Sequence, residues 1–231
     1  MSSPNRIDPP AERPDRPLQL PQPLLGVVLA GGRSARMGVD KATLPHSTGR
    51  RGDGSAQPAD GAARAGVGPT TYLDHAIDRL RPLVARVAVS GRTVDSLRSL
   101  ANPGGVIAIP DPSPHAGPAD GVAQSLRLAA ATPLAGILVT PVDMPDLTTA
   151  HLSLLVEAWS GAGPSSIVAA TFSDARPEPL VAIYPAAALV AIAGVASSES
   201  RSLFRWLVGQ ACVLVRLPAT GSRNVNRPEE V

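Results

Sequence analysis

Aromatic side chains are nearly absent from this chain: Phe, Trp and Tyr make up 3% of 231 residues. Single-stranded nucleic acid is held largely by stacking on aromatic platforms, so composition speaks against that role. Cysteine occurs once, at Cys212. One thiol forms no intramolecular disulfide and no cysteine-based zinc cluster. It lies in a strand-like Ala-Cys-Val-Leu-Val run and reads as a small buried hydrophobe, in keeping with a reducing cytoplasm. Charge of one sign is also scarce. The formal net charge is +2, too small an excess to call for nucleic acid or an anionic membrane surface. No apolar run approaches the length of a membrane-spanning helix. The first 23 residues mix Pro with Arg, Asp and Glu and do not form a secretory signal. A metal-spaced His/Cys cluster and a Gly-x-Ser-x-Gly nucleophile elbow are missing as well. The expectation is a soluble, cytoplasmic protein without nucleic-acid or membrane partners.

What remains is a chain that is 44% hydrophobic, with a core of Leu, Val, Ile and Ala and a length that suits one domain. Residues 1–23 read as a disordered Pro-rich tail. Residues 24–231 read as one domain, with a low-complexity insertion at about 46–68 that lacks apolar periodicity and exceeds an ordinary connection. Elsewhere strands and helices alternate. Strands are expected at 24–30, 83–90, 106–110 and 135–140. Helices are expected at 71–80, opened by a Thr71-x-x-Asp74 capping box, and at 93–101, 121–131 and 148–159. Two strands at 166–171 and 180–184 follow with no room for a helix between them, which implies an antiparallel excursion. Helical segments at 186–196 and 201–209 and a strand at 211–217 close the pattern. The fold class is α/β: a mostly parallel, mixed sheet with helices on both faces.

The stretch Leu29-Ala-Gly-Gly-Arg-Ser-Ala-Arg-Met-Gly-Val-Asp-Lys41 leaves the first buried strand and at once gathers glycines and cations. Glycines let backbone N–H groups approach phosphate oxygens, and Arg33, Arg36 and Lys41 can balance their charge. The stretch is not a P-loop, because no Gly-Lys-Ser/Thr occurs. Nor is it a dinucleotide fingerprint, because Gly31, Gly32 and Gly38 do not fit G-x-G-x-x-G. A second constellation, Val142-Asp143-Met-Pro-Asp146, ends another buried strand. Ligands of open α/β sheets bind at the carboxyl ends of strands, and a carboxylate there suits Mg²⁺, which shares its coordination with phosphates and water. Asp143 is read as the metal ligand and Asp146 as capping or preceding the next helix. Asp111, at the end of a third strand, is open to two roles: a turn former, or an acceptor for a nucleotide ribose or base. His115 reads as a surface loop residue. Asn226 can cap a helix beginning at Pro228, which leaves Asn224 and Arg223 without a structural role.

The ordered set of segments resembles the molybdenum cofactor guanylyltransferases, within the wider nucleotidyltransferases of nucleotide-sugar type. The Leu29–Lys41 stretch is similar to their signature. Gly117-Pro-Ala-Asp-Gly-Val, Val142-Asp-Met-Pro, Glu178-Pro-Leu-Val-Ala-Ile-Tyr, Ser202-Leu-Phe and Asn224-Val-Asn-Arg-Pro-Glu resemble their later landmarks, so the likeness runs from about Leu24 to Glu230 outside the insertion. It implies a single Rossmann-like domain that binds GTP with Mg²⁺ and transfers GMP to the phosphate of molybdopterin, the molybdenum cofactor. Molybdoenzymes or their chaperones are the implied receivers of the product. By the same resemblance Leu29, Ala30, Gly31, Gly32 and Asp111 contact the nucleotide. Lys41 and Arg36 act on its phosphates, Asp143 holds the metal, and Asn224 and Asn226 lie near the pterin. Two positions depart from the pattern. Ser90 stands where an Asn is expected, and Asp120 stands where a small apolar residue is expected. Rival readings are a cytidylyltransferase of the same family, another sugar-phosphate nucleotidyltransferase, and a non-catalytic nucleotide-binding protein. Ala30-Gly31-Gly32, in place of Ala-Ala-Gly, favours guanine over cytosine.

Overall fold

Short apolar runs bounded by Gly and Pro cannot satisfy their backbone alone, and here they pair into one sheet. The computed structural model describes residues 6–7, 23–31, 40–46, 70–98, 100, 103–113, 116–172 and 176–223. The strands are β1 (Arg6–Ile7), β2 (Leu24–Leu29), β3 (Arg86–Ser90), β4 (Val106–Ile109), β5 (Gly136–Pro141), β6 (Ile167–Thr171), β7 (Glu178–Pro185) and β8 (Cys212–Arg216). They form an eight-stranded sheet in the order β1-β8-β6-β7-β5-β2-β3-β4. Only β7 runs against its neighbours, β5 and β6; every other pair is parallel. The expected antiparallel excursion is therefore β6–β7. Strands covered on both faces read as unbroken apolar runs rather than alternating ones, and β5 is buried at every position.

Helices α1 (Tyr72–Leu80) and α3 (Thr149–Ala162) cover one face, and α2 (Pro118–Ala130), α4 (Leu189–Ser197) and α5 (Leu203–Val208) cover the other. Each face has its own core. The first packs Leu73, Ile77, Leu80, Leu152, Leu155 and Trp159 against the sheet. The second packs Val122, Leu126, Ile192, Leu203 and Leu207 against it. The capping box at the start of α1 is complete: Asp74 N–H donates to Thr71 Oγ1 at 3.1 Å, and Thr71 N–H donates to Asp74 Oδ2 at 3.0 Å.

Several expectations are revised. In place of a helix over 93–101, the described residues hold only a 3₁₀ turn at Asp95–Leu97; Leu97 and Leu100 are buried, but Val94, on the same apolar spacing, stays 68% exposed. Helix α2 starts at Pro118 rather than 121, because Pro is pre-organised for the first helical turn. Within the Pro-rich tail, Arg6–Ile7 pair with Leu214–Val215 of β8; the rest of the tail lies outside the described residues. Cys212 is half-buried rather than fully buried, at the sheet's edge region, and burial pushes its thiol pKa up. Residues 47–69 of the insertion also lie outside the described residues. Its two ends meet, however: His46 N–H donates to the Thr70 carbonyl at 2.7 Å, and Pro45 bridges to Thr71. Closing a loop at its base adds only about 0.6 kcal/mol for each doubling of its length.

Candidate active site

Strand order alone selects one edge of the sheet. The chain passes from β2 outward through β3 and β4, then returns to place β5 on the other side of β2. The crevice at such a reversal, beyond the strands' carboxyl ends, is where open α/β sheets bind ligands. Leu29–Gly31, Gly91–Arg92, Asp111 and Asp143 follow the parallel strands β2, β3, β4 and β5 at that edge. Because β7 is antiparallel to β5, its first residue, Glu178, also arrives there.

Backbone hydrogen bonds lock these segments together. Val142 N–H donates to the Leu29 carbonyl at 3.1 Å, and Ala30 N–H donates to the Ser90 carbonyl at 2.9 Å. Gly91 N–H donates to the Ile109 carbonyl at 2.8 Å. The glycines permit a contact that side chains would forbid. Gly91 sits at φ +85°, and a Cβ placed on it would lie 2.2 Å from Gly31 Cα. A Cβ on Gly31 would lie 2.9 Å from Asp111 Oδ2. Leu29, Ala30, Gly31, Asp111 and the residue beside Asp143 thus form one connected rim. Gly32, Arg36, Asn224, Asn226 and His115 lie outside the described residues.

Lys41 opens a 3₁₀ turn, Lys41–Thr43, whose backbone is organised by Asp40. Ala42 N–H donates to Asp40 Oδ1 at 3.1 Å, and Thr43 Oγ1 donates to the Asp40 carbonyl at 2.8 Å. The Arg92 guanidinium grips both Asp40 carboxylate oxygens and holds this carboxyl below the usual range. A residue just beyond β3 therefore fixes where the lysine's backbone begins.

Asp143 follows β5, and the chain from Thr140, at the end of β5, to Leu147 is wrapped around Arg79 of α1. This arginine is only 4% exposed. Nη1 donates to the Met144 carbonyl at 2.7 Å and the Leu147 carbonyl at 3.3 Å. Nη2 donates to Thr140 Oγ1 and to the Pro141 carbonyl, both at 2.7 Å. Burial lowers the Arg79 pKa to about 10, and the nearby Asp143 charge opposes that shift.

Two further carboxylates face the same edge. Burial raises Glu178, and the Asp143 charge adds to this; a hydrogen bond from Leu180 N–H at 3.2 Å and the charge of Arg176 act in the opposite sense. Burial also raises Asp111, helped by the charge of Asp120 and opposed by Arg92. Among the described residues no group of three or more His, Cys, Asp or Glu forms a metal cage. The donor set fits a cation of another kind. Mg²⁺ takes one or two protein carboxylates and completes its shell with phosphate and water oxygens, and Asp143 with Glu178 nearby is that kind of set.

Asp146 does not cap α3. Thr148 does so, its Oγ1 accepting from His151 N–H at 3.2 Å. Asp146 instead accepts from Arg223 Nε at 2.7 Å, which ties the segment leading to Asn224 to the Asp143 loop. Beside it the His46 and His75 rings stack at 4.2 Å, and His75 Nε2 meets the Pro145 carbonyl at 3.1 Å. The departures at Ser90 and Asp120 both have structural roles. Ser90 is buried with its hydroxyl against Gly121, where a Cβ would come within 2.6 Å of it. Asp120 completes the start of α2 by accepting from Gly117 N–H at 2.9 Å.

Arg79, Gly91, Asp40 with Arg92, and Glu178 were not read as functional from sequence. For Arg79 a signal existed: it falls three residues after Ala76 and four before Leu83, on the apolar stripe of α1. Asp40 offered no such pattern, because its partner is 52 residues away.

Comparison with known proteins agrees with this architecture. Residues 26–211 match the model of the MobA-like NTP transferase domain. A protein of Rhodopirellula baltica, a probable molybdenum cofactor guanylyltransferase, is 41% identical over 217 residues, covering 93% of both chains. The crystal structure of molybdopterin-guanine dinucleotide biosynthesis protein A from Archaeoglobus fulgidus superposes with a TM-score of 0.62 at 18% identity, over 90% of this chain and 94% of that one. A structure of Rv0371c from Mycobacterium tuberculosis in complex with manganese has a TM-score of 0.54 at 18% identity, over 85% and 89% of the two chains. The chain belongs to the family of MobA-like NTP transferase domains.

Proposed function

We propose that this protein is a molybdenum cofactor guanylyltransferase, transferring GMP from GTP to the terminal phosphate of molybdopterin and releasing pyrophosphate. The observation that carries this reading is the joining of Leu29–Gly31 to the Asp143 loop at the sheet's switch point, through the bond from Val142 N–H to the Leu29 carbonyl. A strand-end glycine loop and a strand-end carboxylate held side by side suit a triphosphate and its cation. The choice of guanine is supported by the 41% identity to the Rhodopirellula baltica protein and by Gly31-Gly32.

In the reaction a phosphate oxygen of molybdopterin attacks the α-phosphorus of GTP. One P–O bond forms, the bond to the β-phosphate's bridging oxygen breaks, and the electron pair leaves with pyrophosphate. A phosphate monoester has a second pKa of about 6, so the nucleophile is largely ionised near neutrality and needs no strong base. Catalysis is then positioning and charge neutralisation. Leu29, Ala30, Gly31 and Gly32 cradle the nucleotide, with Asp111 accepting from its sugar or base. Lys41 and Arg36 bind its phosphates, and Asn224 and Asn226 orient the pterin. Asp143 holds a divalent cation, Mg²⁺ in our reading, which when bound supplies positive charge to the triphosphate oxygens. The Asp146–Arg223 pair anchors the chain just before Asn224 to the segment that carries Asp143. The single cysteine fits a cytoplasmic setting, and molybdoenzymes or their chaperones receive the product.

The test is pyrophosphate release from GTP and from CTP with molybdopterin and Mg²⁺. GTP turnover well above CTP turnover is expected. Preference for CTP refutes the guanine assignment, and no release with any nucleotide refutes the enzyme reading. Asp143→Ala is expected to abolish turnover with an unchanged circular dichroism spectrum; full activity in that variant removes Asp143 from the mechanism.

A further inference from the structure

We propose that Arg79 is a positioning residue for the metal-binding carboxylate: its buried guanidinium holds the Thr140–Leu147 loop in the conformation that presents Asp143 to a nucleotide-bound divalent cation. The proposal rests on the assignment of Asp143 as metal ligand. Its geometry is independent of that assignment. Arg79 reaches four acceptors, Thr140 Oγ1 and the carbonyls of Pro141, Met144 and Leu147. Two precede Asp143 in the chain and two follow it. The planar fork therefore clamps the chain on both sides of Asp143, at the carboxyl end of β5.

A loop with three of its carbonyls turned inward would be costly without such a donor, because buried carbonyls need partners. The arginine is costly in turn, because a buried guanidinium needs compensation. Four acceptors on its two terminal nitrogens and the nearby Asp143 charge supply most of it, while the buried Nε has no hydrogen-bond partner among the described residues. Neither side is stable without the other, so the loop has one well-defined conformation. Partners that orient a ligand in this way typically affect metal affinity or activity by about 10–100-fold. Lysine cannot replace this arginine: it keeps the charge but offers donors from a single point rather than a planar fork.

Mn²⁺ binding in the presence of saturating GTP and without molybdopterin, followed by electron paramagnetic resonance, tests this without relying on turnover. Arg79→Lys is expected to weaken Mn²⁺ binding about tenfold. Asp143→Asn is expected to weaken it more, and adding Arg79→Lys to Asp143→Asn is expected to cause no further loss. A role confined to stability gives a lower melting temperature with unchanged Mn²⁺ affinity, or losses that add in the double variant, and either result overturns the proposal. If Arg79→Lys does not fold, Thr140→Val removes one acceptor at nearly constant shape. Its expected loss is roughly threefold, and unchanged affinity overturns the proposal by that route. Undiminished Mn²⁺ binding in Asp143→Asn refutes the metal assignment itself. Weakened binding there with wild-type affinity in Arg79→Lys refutes only the role of Arg79.

Discussion

Replacing Gly91 with alanine strikes the nucleotide rim where it is tightest. Gly91 occupies φ +85°, a conformation that costs an L-residue about 1–2 kcal/mol. Its new Cβ would lie 2.2 Å from Gly31 Cα and 2.4 Å from Gly31 N, both backbone atoms that no rotamer change relieves. One of the two strand-end loops must move by roughly 1 Å, a displacement that on substrate-positioning groups costs about 10²-fold in rate. Overpacking adds about 1–3 kcal/mol to the loss of stability. Gly105→Ala is the internal control. It has φ +72° but no heavy atom within 4 Å of the added Cβ, so only the backbone cost applies. That cost corresponds to a fall in Tm of roughly 2–8 °C in a domain of this size. Thermal melts and steady-state kinetics with GTP should show Gly105→Ala with near-normal kcat/KM. Gly91→Ala should show a larger fall in Tm and a loss of kcat/KM for GTP of about 10²-fold. Equal melting losses in the two variants, or Gly91→Ala within about twofold of wild-type kcat/KM, would refute the claim that the Gly31–Gly91 contact shapes the nucleotide rim.

Other perturbations test separate parts of the structure. Lys41→Ala should lower kcat/KM for GTP by about 10²-fold or more with little change in Tm; unchanged kinetics would mark the lysine as a surface charge. Burial lowers the pKa of His75 from its ordinary value, outweighing the bond to the Pro145 carbonyl. The unfolded chain therefore binds a proton before the folded one does, and stability is lost as pH falls through and below about 6.5. His46 is shifted the same way, so the wild-type Tm should fall between pH 7.5 and 5.5. His75→Gln should lessen that fall, and an undiminished pH dependence would rule out His75 as its source. Thr71→Ala removes the acceptor for Asp74 N–H at the start of α1. It should cost about 1 kcal/mol, or roughly 2–4 °C in Tm, measured by calorimetry.

Much of this arrangement was legible from local pattern. Apolar runs such as Leu24–Leu29 and Gly136–Pro141 have the length and composition of strands buried on both faces. Thr71 and Asp74 announced the start of α1, and the short Ile167–Tyr184 interval left space only for a strand return. The glycines and cations after β2 draw attention to the Leu29–Lys41 stretch, and the rule that ligands gather at strand carboxyl ends draws it to Asp143; the roles of Leu29–Gly31 and Asp111 come from the family resemblance. The expected helix over 93–101 failed although Val94, Leu97 and Leu100 have helical spacing, because Val94 finds no core to enter and the described residues form only a 3₁₀ turn at Asp95–Leu97. Asp146 does precede α3, one of the two roles its position suggests, but the cap is Thr148 and the carboxylate pairs with Arg223, 77 residues away, a contact that no local pattern announces.

Sequence by itself determined what depends on near neighbours: the α/β rhythm, the capping box, the glycine-and-cation stretch, and the carboxylate at the end of β5. Backbone hydrogen bonding and side-chain periodicity act over a few residues, so they leave a trace in the string. The tertiary structure alone decided which distant groups meet. It set Gly91 against Gly31, Arg92 on Asp40, and Arg79 beneath the Asp143 loop. Those contacts follow from strand order and helix docking, and their energy comes from close packing and buried hydrogen bonds between segments whose separation along the chain carries no periodic signal.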